Sequence, residues 1–493
     1  MTSLRVVEVI VAALRDAGVL VETIGSLPAE ARSVSDDSRD VAAGDLFIAV
    51  RGSVRDGHDY LPAAEAAGAV LAIVEDATRT TLPRIVVREG RRAAAVAASA
   101  AQGFPARSLS LVGVTGTSGK TTTVSMLRHL LDAPDARSAS IGTLGVLVGS
   151  EGTPLPGGHG LTTPGPVEFQ RILRQLVDAG VRRVAMEVSS HALDQQRVEG
   201  VTFDAAVFTN LSRDHLDYHA SMEAYLAAKA RLVAHLTPDG VAIVNDDVDT
   251  WRALPPAPRV VRYGVTSTRA DVRATGVTFT PAGSAWRLVT PDGEAPVTLP
   301  LIGDFNVDNA LGAAAAAWAL GFPVTGIAPR LSSLPQVPGR LEKVLDRPTV
   351  LRDYAHKPDA MERALAAVRP FTTGRLIVVF GCGGDRDRGK RPIMGAIAER
   401  LADVVILTSD NPRTEDPERI LDEIETGMRR AHERIEDRRA AIARALTIAV
   451  QGDVVVLAGK GHETYQIRGT TSHPFDEKVI VEELATEHRG GRS

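Results

Sequence analysis

Leu109-Ser-Leu-Val-Gly-Val-Thr115, continued by Gly116-Thr-Ser-Gly-Lys-Thr-Thr122, decides the fold of this chain. The first seven residues form a short apolar run with branched side chains, the pattern of a strand buried on both faces of a parallel sheet. A glycine-rich turn follows, and Thr121 to Leu131 then reads as a helix. Glycines in such a turn let backbone N–H groups point inward around a phosphate, and the helix start adds its dipole. Lys120 has the reach for a β- or γ-phosphate, and the Thr121 hydroxyl suits Mg²⁺. The spacing is G-x-x-G-x-x-G-K-T. Val114 stands where the strict G-x-x-x-x-G-K-[ST] pattern has its first glycine.

Outward from this loop the same unit recurs. Helix 167–179, strand 183–188, strand 205–209 and helix 222–236 imply a parallel sheet with crossovers. Residues 258–302 read as antiparallel strands joined by turns such as Pro291-Asp-Gly293. Past Leu334-Pro-Gln-Val-Pro-Gly339 come strands at 348–353, 375–380, 403–408 and 453–458 with helices between, a second and smaller doubly wound domain. Before the loop, residues 1–107 mix short strands and helices, and an Ala-rich helix from Arg91 to Gln102 ends at Gly103-Phe-Pro105. A length of 493 residues suits about three domains. The expected architecture is α/β throughout: an N-terminal α/β domain (1–107), a central P-loop parallel-sheet domain (108–336) and a C-terminal Rossmann-like domain (337–493).

The net charge is −5, which argues against a general nucleic-acid binder. One cysteine, Cys382, excludes an internal disulfide and any Cys₄ or Cys₂His₂ metal site; between Gly381 and Gly383 it reads as a small packed residue. Glu8 and Asp16 interrupt the place where the apolar core of a signal peptide would sit. The longest uncharged run, Ala310 to Ala328, is mostly alanine and is broken by Gly321 and Pro323, so it reads as a buried helix and a turn rather than a membrane span. A cytoplasmic protein with no membrane partner is expected.

Three further residues invite a role. Glu187 ends an apolar strand, where a carboxylate can face the ligand crevice. His215 and His219 lie four apart, but without the H-E-x-x-H context of a zinc site. Lys229, in Tyr225-Leu-Ala-Ala-Lys229, reads by itself as a lysine on a solvated helix face.

In order along the chain, Thr115–Thr122, Met186-Glu-Val-Ser-Ser-His191, Thr209-Asn-Leu-Ser-Arg-Asp-His215, Gly303-Asp-Phe-Asn-Val-Asp-Asn309, Pro338-Gly-Arg-Leu-Glu342, Asp353-Tyr-Ala-His356, Gly383-Gly-Asp-Arg-Asp387 and Gly459-Lys-Gly-His-Glu463 resemble the motifs of the Mur ligases, which build the peptidoglycan stem peptide. The resemblance runs through all three expected domains. Asp37-Ser-Arg39, Thr162-Thr-Pro164 and Asp410-Asn-Pro-Arg413 are similar to those members that add meso-diaminopimelate to UDP-N-acetylmuramoyl-L-alanyl-D-glutamate. Ser118 departs from the asparagine of many relatives, and Arg352 stands where an apolar residue is common.

The resemblance implies an ATP-dependent ligase that works through an acyl phosphate, and an N-terminal domain that binds the uridine end of its substrate. Gly116, Thr117, Ser118, Gly119, Lys120, Thr121 and Thr122 would hold ATP, with Asn306 and Asn309 near adenine; Asn309 also suits a helix start. Thr121 and Glu187 would coordinate Mg²⁺ with His215 close by, and Lys229 would carry a carbamate (N6-carboxylysine) able to bind a second Mg²⁺. Ser38, Thr162, Thr163, Ser189, Gln195 and Arg197 align with contacts to the UDP-linked substrate. Arg386, Asp410, Asn411, Pro412, Arg413, Gly459 and Glu463 align with contacts to the diamino acid. Arg413 offers a planar fork for the distal carboxylate that lysine lacks. The expected partners are these small molecules, acting on a monomer. The other readings are the same ligase using L-lysine, ornithine or diaminobutyrate, a folylpolyglutamate-type ligase, and a non-catalytic nucleotide-binding regulator.

Overall fold

The computed structural model describes residues 6–52, 55–158 and 160–490. The chain divides into two compact units. One comprises Met1–Thr275, Leu288–Ala295 and Asp308–Leu331; the other comprises Gly276–Arg287, Pro296–Val307 and Ser332–Ser493.

The first unit opens with Leu20–Ile24 (β1), Val34–Ser35 (β2), Leu46–Ile48 (β3), Leu71–Val74 (β4) and Arg84–Val87 (β5). They form a sheet in the order β1-β5-β4-β3-β2, with β1 antiparallel and the rest parallel. Both faces are covered, as parallel pairing requires. Helices Val6–Asp16 and Gly90–Ala101 supply Ile10, Leu14, Ala93 and Ala97 to one face, and Phe47, Leu61 and Val74 fill the other.

A larger sheet follows: Ser110–Thr115 (β6), Arg137–Gly142 (β7), Gly145–Val148 (β8), Thr153–Leu155 (β9), Val181–Glu187 (β10), Phe203–Phe208 (β11), Leu236–Asn245 (β12) and Arg259–Gly264 (β13), side by side in the order β13-β12-β11-β6-β10-β7-β8-β9. β6 lies between β10 and β11, parallel to both, with Glu187 paired to Val114 and Phe208 to Thr115. Three strands therefore end level beside the glycine-rich turn, on either side of β6, where doubly wound sheets bind ligands.

Three expectations need correction. β13 pairs parallel, not antiparallel, with β12, because residues 246–258, with the turn Asp249–Ala253, make a crossover long enough to bring the chain back in the same direction. The chain reverses at short turns only afterwards, between Val272–Thr280 (β14), Gly283–Thr290 (β15) and Gly293–Leu299 (β16). The helix from Met222 ends at Ala230 and tightens into a 3₁₀ turn, Arg231–His235. Asn309 is not a helix start: its helix runs from Asp304 to Ala319.

The second unit holds Glu342–Asp346 (β17), Thr349–Asp353 (β18), Leu376–Phe380 (β19), Val404–Leu407 (β20), Glu433–Arg434 (β21) and Val454–Ala458 (β22), ordered β17-β18-β22-β19-β20-β21. Only β17 runs antiparallel to its neighbour. β19 and β22 read LIVVF and VVVLA and are buried throughout. Leu365, Met394 and Leu421 pack on one face, Ile442 and Val481 on the other. Asp416 caps the helix Pro417–Glu425, accepting from Glu418 N, with Pro417 at its first position. A hairpin, Tyr465–Arg468 (β23) with Thr471–Pro474 (β24), lies outside the sheet.

Candidate active site

The turn after β6 is built for close approach. Gly116 has φ +152° and Gly119 φ +86°. A Cβ at the first would overlap Thr209 Oγ1, and one at the second Asn309 Oδ1. Asn210 braces the loop: its Oδ1 accepts from Ser118 N (2.9 Å), while its Nδ2 donates to Ser118 O (3.1 Å). Serine serves at position 118 because both bonds use its backbone. Lys120 Nζ donates to Gly116 O (2.8 Å) and Thr117 O (2.9 Å), which holds the amine over the loop.

Lys229 is not on a solvated face. It is 1% exposed, and its Nζ donates to Gly116 O at 2.8 Å. The amine lies 4.4 Å from the centre of the Tyr225 ring, a cation–π contact that offsets part of the cost of burying a charge. Tyr225 OH lies 3.3 Å from Thr117 Oγ1, and burial pushes this phenol up to about 12. Helix Met222–Ala230 thus anchors the loop from beneath.

Glu187 is 2% exposed. Its Oε1 accepts from Thr143 N (2.8 Å) and its Oε2 from Thr143 Oγ1 (3.3 Å). A Cβ at Gly142 would overlap Oε1, so glycine there makes room for the carboxylate. Mg²⁺ usually takes one or two carboxylates and completes its shell with substrate phosphates and water. A single buried carboxylate level with the phosphate loop, together with the Thr121 hydroxyl, fits that donor set. His215 starts the short helix Leu216–His219 with φ +53°. Its ring stands 4.8 Å from that of His191.

The residues expected at the UDP-linked substrate form one hydrogen-bonded group, Ser38 excepted. Thr163 Oγ1 donates to Glu187 O (2.8 Å) and accepts from Ser189 N (3.0 Å). Arg197 donates to Thr163 O (2.9 Å) and Gln195 Oε1 (2.7 Å). Thr143 Oγ1 reaches Thr162 Oγ1 at 3.5 Å. Ser38 lies on the turn Ser35–Arg39, where Arg39 holds the Asp37 carboxyl down at about 2. That turn runs beside Gly165, whose Cβ would lie 3.9 Å from Asp36 Oδ2.

The residues expected at the diamino acid gather within the second unit. Asn411 Nδ2 donates to Glu463 Oε2 (2.9 Å), and Gln466 Nε2 to Asp410 O (2.8 Å). Arg413 has φ +52° and is clasped by the hairpin: its N donates to Ile467 O (3.0 Å) and its O accepts from Gly469 N (2.7 Å). Its Nη1 donates to Gly384 O (2.8 Å). A Cβ at Gly383 would lie 3.0 Å from Arg413 Nη1 and 3.8 Å from Arg386 Cγ, and one at Gly459 would meet Asp410 Oδ2. Nearby, burial pushes Asp353 up to about 6 and His356 down to about 4. Arg352 is a structural ion-pair residue, bonded to Glu342 (2.7 Å) and Asp476 (3.0 Å). Cys382 is buried against Met394, and burial pushes its thiol up to about 12, which suits packing rather than nucleophilic chemistry. Asn306 Nδ2 donates to Ile302 O (2.8 Å), and Asn309 Oδ1 reaches Thr123 Oγ1 at 3.5 Å.

Residues 30–107 match the model for "Mur ligase family, catalytic domain", 114–317 "Mur ligase middle domain" and 339–461 "Mur ligase, glutamate ligase domain". A UDP-N-acetylmuramoyl-L-alanyl-D-glutamate–2,6-diaminopimelate ligase of Synechococcus elongatus is 47% identical over 461 residues, covering 90% of this chain and 91% of that one. The chain belongs to the Mur ligase family. The ligase of the same name from Geobacillus kaustophilus is 44% identical over 92% of this Mur ligase and 94% of its own length. A solved structure of a UDP-N-acetylmuramoyl-L-alanyl-D-glutamate–2,6-diaminopimelate ligase superposes with a TM-score of 0.67 at 34% identity, covering 95% of this chain and 98% of that one. Three-domain architecture and ATP-dependent peptide ligation follow from membership. Among the described residues, no helix of this Mur ligase is long and apolar enough to cross a membrane.

Sequence reasoning missed Thr143, which holds Glu187, Asn210 and Tyr225, which hold the phosphate loop, and Lys460, which bridges Asn411 and Glu463 (3.2 Å to each). Lys460 and Asn210 carried a signal, their places inside Gly459-Lys-Gly-His-Glu463 and Thr209-Asn-Leu-Ser-Arg-Asp-His215. The others act through neighbours far along the chain.

Proposed function

We propose that this Mur ligase joins meso-diaminopimelate to UDP-N-acetylmuramoyl-L-alanyl-D-glutamate at the expense of ATP, in the cytoplasm, as one step of peptidoglycan precursor synthesis. The observation that carries the reading is the single polar cluster made by Asp410, Asn411 and Arg413 with Gly459 and Glu463, in a chain 47% identical to a diaminopimelate ligase. The domain boundaries we assign are 1–107, 108–336 and 337–493. The family matches at 30–107, 114–317 and 339–461 support them. A monomer suffices, since one chain supplies every residue of the set.

In the proposed reaction the D-glutamate γ-carboxylate attacks the γ-phosphorus of ATP, ADP leaves, and an acyl phosphate forms. An amino group of diaminopimelate then attacks the acyl carbon, loses a proton, and expels phosphate. Gly116–Thr122 cradle the phosphates with backbone N–H groups, and Lys120 neutralises charge as it moves to the leaving ADP. Thr121 and Glu187, with His215 near, would hold Mg²⁺, which would supply further positive charge to the two anionic reactants. Lys229 as its carbamate would offer an anionic ligand for a second Mg²⁺. Ser38, Thr162, Thr163, Ser189, Gln195 and Arg197 orient the UDP-linked substrate. Asn306 and Asn309 would contact adenine. Arg413 and Arg386 take the distal carboxylate of diaminopimelate, and Asp410, Asn411 and Glu463 its distal ammonium. Lysine would leave the Arg413 guanidinium without its anion, a kind of mismatch that can cost roughly 10⁴–10⁵-fold in discrimination.

The test is phosphate release by the purified enzyme with ATP, Mg²⁺ and the UDP-linked substrate, offering meso-diaminopimelate, L-lysine, L-ornithine and diaminobutyrate separately. Turnover confined to meso-diaminopimelate supports the reading. Turnover with another diamino acid keeps the ligase and removes the role given to Arg413. Failure with all four returns the nucleotide-binding regulator.

A further inference from the structure

Lys460 is a buried cation inside the diamino-acid cluster to which no substrate contact is assigned. It is 0% exposed. Its Nζ donates to Asn411 Oδ1 and Glu463 Oε2, each at 3.2 Å, and lies 5.6 Å from the centre of the Tyr465 ring and 6.0 Å from that of Phe475. Asn411 closes the triangle by donating its Nδ2 to the same Glu463 Oε2 (2.9 Å), while its Oδ1 also accepts from Ile467 N (2.9 Å). Both bonds to Glu463 fall on Oε2, and Oε1 takes part in neither. The ammonium therefore ties together the 410–413 turn, the 459–463 loop and the hairpin that clasps Arg413.

A buried lysine–glutamate pair adds little net stability over well-packed apolar side chains, although removing one partner alone strands the other. Its charge has a use in the site. Glu463 and the nearly buried Asp410 are two carboxylates in one small cluster, and the distal end of diaminopimelate brings a third. Lys460 places a compensating charge on Glu463, so that the charge of Arg413 and Arg386 is left to the substrate carboxylate.

Resting on the assignment of this site to the diamino acid, we propose that Lys460 is a positioning residue for substrate selection: its buried ammonium fixes Glu463 through Oε2 and balances the cluster, so that a distal carboxylate and a distal ammonium are accepted together. Removing the charge then harms diaminopimelate more than lysine, which has only the ammonium.

The experiment compares wild type with Lys460→Met, which keeps the length and removes the charge, and Lys460→Gln, which keeps one donor. KM and kcat are measured for ATP, the UDP-linked substrate and meso-diaminopimelate, and kcat/KM for L-lysine. The KM for meso-diaminopimelate is expected to rise about 10- to 100-fold in Lys460→Met and less in Lys460→Gln, with the other two KM values unchanged. The preference for diaminopimelate over lysine falls by the same order. The inference is overturned if all three KM values rise together, if kcat alone falls, if the preference is unchanged, or if circular dichroism shows that both variants unfold. A wild-type enzyme inactive with meso-diaminopimelate would refute the proposed function itself, and that result appears before any variant is read.

Discussion

Lys120 and Lys229 donate to one and the same acceptor, the carbonyl of Gly116, each at 2.8 Å. Two ammonium groups on one oxygen repel, and in a partly buried site the repulsion amounts to a few kcal/mol. Carbamylation of Lys229 would turn that repulsion into attraction, because an anion would then face Lys120. Exhaustive removal of CO₂ is therefore expected to lower the rate of phosphate release, and added bicarbonate to restore it. Lys229→Arg should lose about 10²–10³-fold in kcat and gain nothing from bicarbonate. Activity independent of bicarbonate in the wild type would remove the carbamate from the mechanism.

Gly142 is a cleaner probe of the carboxylate than Glu187 itself. A methyl group there meets Glu187 Oε1, while residue 142 is not among the positions with positive φ, so alanine brings no backbone strain. Gly142→Ala should raise the Mg²⁺ concentration needed for half-maximal rate and lower kcat by about 10-fold or more, with little change in melting temperature. Glu187→Gln should do the same more severely. A melting-temperature loss that accounts for the activity loss would assign Gly142 to packing alone.

Arg413 pairs a guanidinium fork with a strained backbone, φ +52°. Arg413→Lys keeps the charge and loses the two-point geometry. The KM for meso-diaminopimelate is expected to rise about 10- to 100-fold, and that for L-lysine hardly at all. Equal effects on both amino acids would place Arg413 in the scaffold of the loop.

His356 and Asp353 predict opposite responses to acid. Burial pushes His356 from its usual 6.5 to about 4, and its Nδ1–H donates to Tyr354 O (2.8 Å). The unfolded chain binds that proton first, so the stability His356 contributes is complete above about pH 6.5 and drains away toward pH 4. Burial raises Asp353 from 3.8 to about 6. Here the folded state binds the proton first, so its ionisation burdens the fold above about pH 6 and is relieved as pH falls toward 4. Thermal unfolding of His356→Gln should show a smaller drop in melting temperature between about pH 7 and pH 4.5 than wild type, and Asp353→Asn a larger one. Parallel pH profiles for all three proteins would contradict both assignments.

The local content of this chain was legible by itself. The apolar run ending at Thr115, the Gly116–Thr122 turn, the Asp416–Pro417 helix start and the alternation of strand and helix all depend on side chains within a few positions of one another, where period and turn chemistry act directly. The order of motifs along the chain pointed in the same way to the Mur ligases. What only the tertiary structure decided is where distant residues meet. Arg259–Gly264 looked like a hairpin strand and pairs parallel with Leu236–Asn245, since strand direction is set by the crossover and not by the strand's own residues. Lys229 looked solvated and is buried on Gly116 O, 113 positions away in the chain. Thr143 holds Glu187 across 44 positions, and Lys460 reaches Asn411 across 49. Burial and pairing are properties of the packed neighbourhood, and a residue's own side chain and local pattern carry no record of which remote backbone will cover it.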